Sequence, residues 1–106
     1  ATARAYDCTA KVDYQRSYPI TMNWPENTDF AAEAAEAVSG VDRATPPVMA
    51  GEDFSFMLEE RPGAYIFLGN GPGAHVHHPE YDFNDAVIPA GCSWFAEIVE
   101  RRMPAA

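Results

Sequence analysis

The three histidines of the chain lie within four positions of one another, at His75, His77 and His78. In an extended segment the first two side chains point to one side and the third to the other. Neutral imidazole is the commonest ligand for zinc and similar ions, and carboxylates follow at once, at Glu80, Asp82 and Asp85. The segment is therefore a candidate metal site, with an acidic surface loop as the alternative. Because a catalytic zinc takes three protein ligands, we expect so short a loop to supply only one or two.

A second candidate is the run Gly51, Glu52 and Asp53, which opens the apolar spacing of a short helix. Backbone N–H groups at such a helix start can hold a substrate carboxylate. Acidic residues there also complement the helix dipole without any ligand, and spacing alone favours this second interpretation. The glycine-rich loop at 69–73 lacks the Lys-Ser/Thr pair of a phosphate-binding loop, so we expect no phosphate ligand there.

Three predicted helices and two predicted strands must position these groups. Apolar and polar residues alternate from Arg4 to Tyr14, which is typical of a strand with one buried face. The unbroken apolar run from Ala64 to Leu68 favours a strand buried on both faces. Helical spacing and bounding residues predict the helices, which span Asn27 to Gly40, Glu52 to Arg61 and Pro89 to Met103. A buried strand flanked by helices indicates an α/β fold.

The first predicted strand has no hairpin partner near it in the sequence. An unpaired strand edge is unfavourable, so its neighbours are expected to come from other sequence or from another chain. The prolines at 19 and 25 enforce an extended crossover and predict a domain boundary. Because the sequence begins with Ala1 rather than Met, we expect either a removed leader or a start partway through a longer protein. The residues are predicted to belong to a larger core.

Composition narrows the classes of partner. The 106 residues carry 7 Lys and Arg against 16 Asp and Glu, a formal charge of −9, which argues against nucleic acids and anionic membranes as partners. Two cysteines are too few for a disulfide framework, so a reducing, cytoplasmic compartment is expected. Both cysteines are predicted to be buried, one of them in the apolar stripe of the last helix, which comprises Cys92, Phe95, Ala96 and Val99.

Three motifs occur in order and carry a more specific resemblance. They are Met-Ala-Gly-Glu-Asp-Phe-Ser-Phe-Met-Leu at 49–58, Pro-Gly-Ala-Tyr-Ile-Phe-Leu-Gly-Asn-Gly at 62–71 and His-His-Pro-Glu-Tyr-Asp-Phe-Asn-Asp at 77–85. Together they resemble the C-terminal part of the metal-dependent amidohydrolases that include hippurate hydrolase, N-acyl-amino-acid amidohydrolase and the auxin-conjugate hydrolases. Upstream, Tyr18, Pro19 and Asn23 are similar to the segment where that family's lid domain returns to its catalytic domain.

The resemblance implies an α/β, zinc-peptidase-like catalytic domain interrupted by a ferredoxin-like lid domain that also dimerises. Residues 1–21 would then be the last strand and the exit of the lid, and residues 22–106 the C-terminal portion of the catalytic domain. A homodimer is implied. The substrate class would be N-acyl amino acids or small peptides, cleaved at the amide bond.

For the site, the resemblance implies two divalent ions, zinc or manganese, in the complete enzyme. His77 matches the family's last metal ligand, whereas His75 matches no assigned position. Asn23, Gly51 and Glu52 resemble residues that line the site near the substrate's carboxylate. The other metal ligands and the catalytic glutamate match nothing in these residues, so the chain alone is expected to be inactive and to bind zinc weakly or not at all.

Two alternatives from other classes stay open at this point. One is a non-catalytic interaction fragment that dimerises by pairing its first strand. The other is a small metal-binding protein built on His75, His77 and Asp82.

Overall fold

The computed structural model describes residues 1–103; residues 104–106, the end of the predicted catalytic portion 22–106, lie outside the described residues. Its elements are four α-helices and one 3-10 helix. The α-helices are α1 (Thr2–Ala5), α2 (Pro25–Val38), α3 (Phe54–Glu60) and α4 (Ile88–Arg102), and the 3-10 helix, Asp85–Val87, leads into α4. None of these helices is long and apolar enough to cross a membrane, within the residues described.

Helix α2 begins two residues before its predicted start, because proline fixes the backbone dihedral of a first helical turn and lacks an N–H that would need a partner there. Trp24 is the N-cap residue and Pro25 opens the helix. The hydroxyl of Thr28 donates to the Trp24 carbonyl oxygen at 2.9 Å. The helix ends at Val38, and Gly40 follows in the left-handed region with φ +87°, as predicted for a C-terminal glycine.

The contact between α2 and α4 forms the centre of the molecule. Ala31, Ala32 and Ala34 on α2 are buried, and their small side chains allow the helices to approach closely. The indole N–H of Trp94 on α4 donates to the Ala31 carbonyl oxygen at 2.9 Å. The guanidinium of Arg102 lies 3.6 Å from the centre of the Phe30 ring, a cation–π contact that joins the C-terminal end of α4 to the first half of α2.

The predicted buried stripe of α4 is wrong. Phe95 and Val99 are 66% and 52% exposed, and Cys92 is exposed, as is Cys8. Trp94 and Ile98 instead face α2, where they line a small cavity together with Phe30, Ala31 and Arg102. The helix carries two adjacent apolar faces, and the neighbouring helix, not the spacing, decides which one is covered.

Helix α3 lies within the predicted span and is tied to α2 through Trp24. The Trp24 indole N–H donates to the Leu58 carbonyl oxygen at 3.0 Å, and its backbone N–H donates to the Gly63 carbonyl oxygen at 3.0 Å. Leu58 and Ser55 are buried. These bonds anchor the start of α2 to the end of α3.

Neither predicted strand is formed, and residues 1–103 contain no β-strand. Where a strand was predicted from Arg4 to Tyr14, α1 ends at Ala5 and irregular chain follows, with Val12 84% exposed. A strand requires hydrogen bonds from a neighbouring strand, and local alternation cannot supply that neighbour. The assignment of residues 1–21 to a lid domain stays a prediction.

The run from Ala64 to Leu68 is likewise irregular, in place of the predicted buried strand. Its first residues are half-buried, whereas Phe67 is 70% exposed. An apolar run becomes a strand buried on both faces only when other strands flank it. Residues 1–103 therefore show helices of the expected α/β fold but none of its strands.

The chain is far more open than a compact domain of its size. Its radius of gyration is 19.7 Å, against about 13 Å for a compact domain of this length. Its accessible surface is 9433 Å², against roughly 5,800 Å² for a folded monomer of this mass. Much of the apolar surface that the sequence provides is therefore uncovered.

Candidate active site

The histidine segment forms a tight turn rather than the extended run considered above. The His78 backbone N–H donates to the His75 carbonyl oxygen at 3.1 Å, and the Tyr81 N–H donates to the His78 carbonyl oxygen at 3.0 Å. The Nδ1 atom of His78 accepts from the Glu80 backbone N–H at 3.1 Å. The His78 side chain thus takes part in shaping the turn.

His77 differs from the other histidines of this turn in its backbone conformation. Its φ is +71°, in the left-handed region that costs a residue with a side chain roughly 1–2 kcal/mol. The side chain is exposed. A non-glycine residue held in this conformation at a loop tip motivates a functional hypothesis.

Two asparagines fix the turn to the rest of the chain. The Asn70 amide donates to the Asp82 carbonyl oxygen at 2.9 Å and its Oδ1 accepts from the Asn84 backbone N–H at 2.8 Å. The Asn84 Oδ1 accepts from the Ala86 N–H at 3.1 Å and so caps the 3-10 helix before α4. An open cleft of about 420 Å³ lies beside this link, lined by Asn70, Pro72, Gly73, Ala74, Glu80, Asp82, Phe83, Asn84 and Asp85.

The histidine turn does not complete a metal site by itself. Within residues 1–103, no group of three or more His, Cys, Asp or Glu side chains is placed to hold a metal ion. His75, His77 and Asp82 are therefore not assembled as the small metal-binding protein would require. All three histidines of the loop are exposed, and His77 is the one held at φ +71°.

The predicted site residue Asn23 pairs with Tyr65. The Asn23 Oδ1 accepts from the Tyr65 backbone N–H at 2.7 Å, and its Nδ2 donates to the Tyr65 carbonyl oxygen at 2.8 Å. The side-chain amide thus satisfies both backbone groups of one residue, as a neighbouring strand would. Asn23 is thereby engaged in fixing the segment that begins at Ala64.

Glu52 contacts the same tyrosine from the other side. The Tyr65 hydroxyl donates to Glu52 Oε2 at 2.9 Å, and the Phe54 backbone N–H donates to Glu52 Oε1 at 3.1 Å. Each carboxylate oxygen therefore has a donor. We call Asn23, Glu52 and Tyr65 the Tyr65 cluster.

These bonds shift the acidities of both groups in opposite directions. The Phe54 N–H and then the Tyr65 hydroxyl stabilise the carboxylate and lower the pKa of Glu52 below its ordinary 4.5. The hydrogen bond to Glu52 is the main cause of the raised pKa of Tyr65, above its ordinary 10.0, and partial burial and the charge of Asp53 add to it. At neutral pH the pair is a tyrosine hydroxyl bonded to a carboxylate.

Gly51, the third predicted lining residue, lies against the ring of Tyr18. A Cβ atom at this position would come within 2.8 Å of the Tyr18 Cδ2 atom. The absence of a side chain therefore permits the start of the crossover to pack on the turn before α3.

The structure thus brings two of the predicted site residues, Asn23 and Glu52, onto Tyr65, with Gly51 adjacent to Glu52 in the chain. Among residues 1–103, no hydrogen bond joins this cluster to the turn that carries His77. Tyr65 itself was missed, because its apolar neighbours predicted a strand position. Its hydroxyl gave the only hint, since a buried tyrosine usually requires a hydrogen-bond partner.

The chain is similar in sequence to several proteins that are named as hydrolases, deacetylases or carboxypeptidases. The chain is 35% identical over 99 residues to hippurate hydrolase of Campylobacter jejuni, covering 91% of this chain. It is 34% identical over 96 residues to N-acetyldiaminopimelate deacetylase of a Geobacillus species, covering 90%. It is 43% identical over 65 residues to thermostable carboxypeptidase 2 of Saccharolobus solfataricus, covering 60%. No solved structure matches the chain.

The chain spans about a quarter of the length of the first two relatives, 26% of both the hippurate hydrolase and the deacetylase, and its match covers 16% of the carboxypeptidase. A family model, by contrast, matches nearly the whole of it, over residues 5–101, and that model describes peptidase family M20/M25/M40. The resemblance found in the three motifs is confirmed: the chain belongs to peptidase family M20/M25/M40.

Proposed function

We propose that this chain is the C-terminal part of a metal-dependent amidohydrolase, in which His77 supplies one ligand to a centre of two divalent ions, zinc or manganese. The observation that carries the proposal is the exposed imidazole of His77, held at φ +71° in a turn within the region matched by the family. The remaining ligands and the catalytic base would come from residues outside these 106. No residue of this chain is proposed as a catalytic acid, base or nucleophile.

The donor chemistry of the turn fits a metal of this kind. An imidazole is a preferred ligand for zinc, and among the described residues no hydrogen bond occupies the His77 ring. When bound, such ions polarise an amide carbonyl and activate water. His77 would hold one ion in place. The hydrogen bonds of the Asn70 side chain to the backbone of Asp82 and Asn84 would fix the loop that carries His77.

The proposed substrates are N-acyl amino acids. This class is supported by the names of the relatives, which include a hippurate hydrolase and deacetylases of N-acetyldiaminopimelate. Asn23, Gly51 and Glu52 would line the part of the site near the substrate's carboxylate. The Tyr65 cluster supports this role, since it fixes two of these residues on one tyrosine.

A chimera tests the proposal. This chain replaces the 99 residues that it matches in the Campylobacter jejuni hippurate hydrolase, and hippurate hydrolysis is measured. We expect an active chimera in which His77→Ala lowers kcat/KM more than about hundredfold, because a lost metal ligand removes several kcal/mol of transition-state stabilisation. His75→Ala is the matched control and should change kcat/KM less than about twofold. Equal losses from both variants would favour the His75-based alternative, and no loss from either would contradict the proposal.

We also propose that the chain assembles as a homodimer in the cytoplasm, through the segment before α2. The support is the exposure of apolar side chains in this segment, with Val12 and Ile20 more than four-fifths exposed. The same segment suits the alternative of a non-catalytic interaction fragment. Light scattering coupled to size exclusion, at several concentrations, should give a dimer; a monomer throughout would contradict both.

A further inference from the structure

We propose that Tyr65 is a positioning residue, which holds the Glu52 carboxylate away from the carboxylate of a bound substrate. The inference rests on the proposed function, because only there do Gly51 and Glu52 line the part of the site that receives this anionic group. Tyr65 touches neither substrate nor metal in this account. It acts through Glu52.

The proposed site brings two negative charges near each other, the Glu52 carboxylate and the carboxylate of the substrate. Glu52 is half-buried and, with its lowered pKa, ionised at neutral pH. A free carboxylate beside a substrate carboxylate disfavours binding, since the two charges repel each other. Phe54 fixes only one of the two Glu52 oxygens, Oε1. The other oxygen, Oε2, is held by the Tyr65 hydroxyl.

Hydrogen bonds and aromatic contacts hold Tyr65 itself in position. Asn23 binds both of its backbone groups. The ring contacts two aromatic neighbours, with the Phe54 ring centre 5.6 Å away and the Phe67 ring centre 5.4 Å away in an edge-to-face arrangement. The hydroxyl therefore has a defined direction, which is what a positioning residue needs.

The first arm of the test uses the 106-residue chain and the absorbance of tyrosinate during a pH titration. The chain has five tyrosines, so the contribution of Tyr65 is taken as the difference between the titration curves of the unaltered chain and of Tyr65→Phe. We expect this hydroxyl to ionise above its ordinary 10.0, because it donates to the Glu52 carboxylate. Glu52→Gln should bring its ionisation back toward that value. A Tyr65 contribution that Glu52→Gln leaves unchanged would overturn the proposal.

The second arm uses the hippurate hydrolase chimera described above. Tyr65→Phe keeps the ring and the backbone pairing but removes the hydroxyl. We expect KM for hippurate to rise about fivefold, the size of one lost hydrogen bond to a charged group near solvent, with kcat changed less than about twofold, since the loss is one of uniform binding. Tyr14→Phe should leave both constants unchanged.

Charge dependence separates positioning from a merely structural role. The rise in KM should shrink in added salt, should be absent for the neutral amide of hippurate, and should disappear when Glu52→Gln is already present. A KM unaffected by Tyr65→Phe, a rise that persists with Glu52→Gln, or a fall in kcat alone would overturn the proposal. A chimera inactive with the unaltered chain would refute the proposed function and the positioning role with it, while the titration still decides whether Tyr65 holds Glu52.

Discussion

Tyr65 contributes to the candidate site through three separate groups: its backbone N–H, its carbonyl oxygen and its hydroxyl. The Asn23 side chain forms hydrogen bonds with both backbone groups, and the Glu52 carboxylate accepts from the hydroxyl. This one residue therefore links the crossover before α2, the turn before α3 and the apolar run that follows α3. At the residue scale, the geometry of the site depends on the donors and acceptors of Tyr65 more than on any packing contact.

The pairing of Asn23 with Tyr65 predicts a cost when it is removed. Asn23→Ala should lower the free energy of unfolding by about 2 kcal/mol, because two partly buried hydrogen bonds are lost and the Tyr65 backbone groups are left without partners. Asn27→Ala, on the first turns of α2, should change it by less than about 0.5 kcal/mol. Urea unfolding of the two variants provides the comparison, and equal effects would contradict the role assigned to Asn23.

The bond between Glu52 and Tyr65 predicts how stability depends on pH. The Glu52 contribution is fully present above 4.5 and is lost as pH falls through the lowered folded pKa. The Tyr65 contribution is fully present below 10.0 and is lost as pH rises through the raised folded pKa. The difference in melting temperature between the unaltered chain and Glu52→Gln should therefore be constant between these values and shrink on either side. A difference that does not vary with pH would contradict the bond.

At the scale of elements, helices form from local information and strands do not. The spacing of Phe54, Met57 and Leu58 predicted α3, and Gly40 predicted the end of α2, because hydrogen bonds within a helix come from its own residues. The alternation at 4–14 predicted a strand that has no neighbour to pair with. The covered face of α4 was wrong for a related reason, since only the position of α2 decides that Trp94 is covered and Phe95 is not.

A substitution at the end of α2 tests directly whether local sequence specifies where this helix ends. Gly40→Ala should lower the free energy of unfolding by about 1 kcal/mol, because alanine is strained at φ +87°. No atom lies within 4 Å of the added Cβ, so the cost is purely conformational. Gly69→Ala is the matched control, with equally open space and no positive φ, and should be neutral or slightly stabilising. Similar losses at both sites in chemical unfolding would contradict the interpretation.

At the scale of the whole molecule, the chain has more surface than a compact fold of its mass. The excess is roughly 3,600 Å². The exposed apolar face of α4 and the exposed residues before α2 contribute to it. A sequence pattern can indicate that such surface needs covering, as the alternation at 4–14 does, but it does not identify the residues that would cover it.

Within residues 1–103 no other ligand is assembled with the exposed His77 into a metal site, and this predicts weak metal binding. Zinc titrated into the 106-residue chain in a calorimeter should bind weakly and without defined stoichiometry, because one ligand does not fix the tetrahedral geometry that zinc requires. The chain alone should hydrolyse no hippurate. Tight binding of one zinc ion per chain, abolished by His75→Ala as well as by His77→Ala, would favour the small metal-binding protein.

The position of His77 relative to a bound metal tests the central claim most directly. Crystals of the zinc-loaded hippurate hydrolase chimera, measured with anomalous diffraction, locate the ions and their ligands. The account predicts a ring nitrogen of His77 about 2.0–2.1 Å from one of two zinc ions, with the His75 ring uncoordinated. Two fully ligated ions with the His77 ring turned away from both would contradict it.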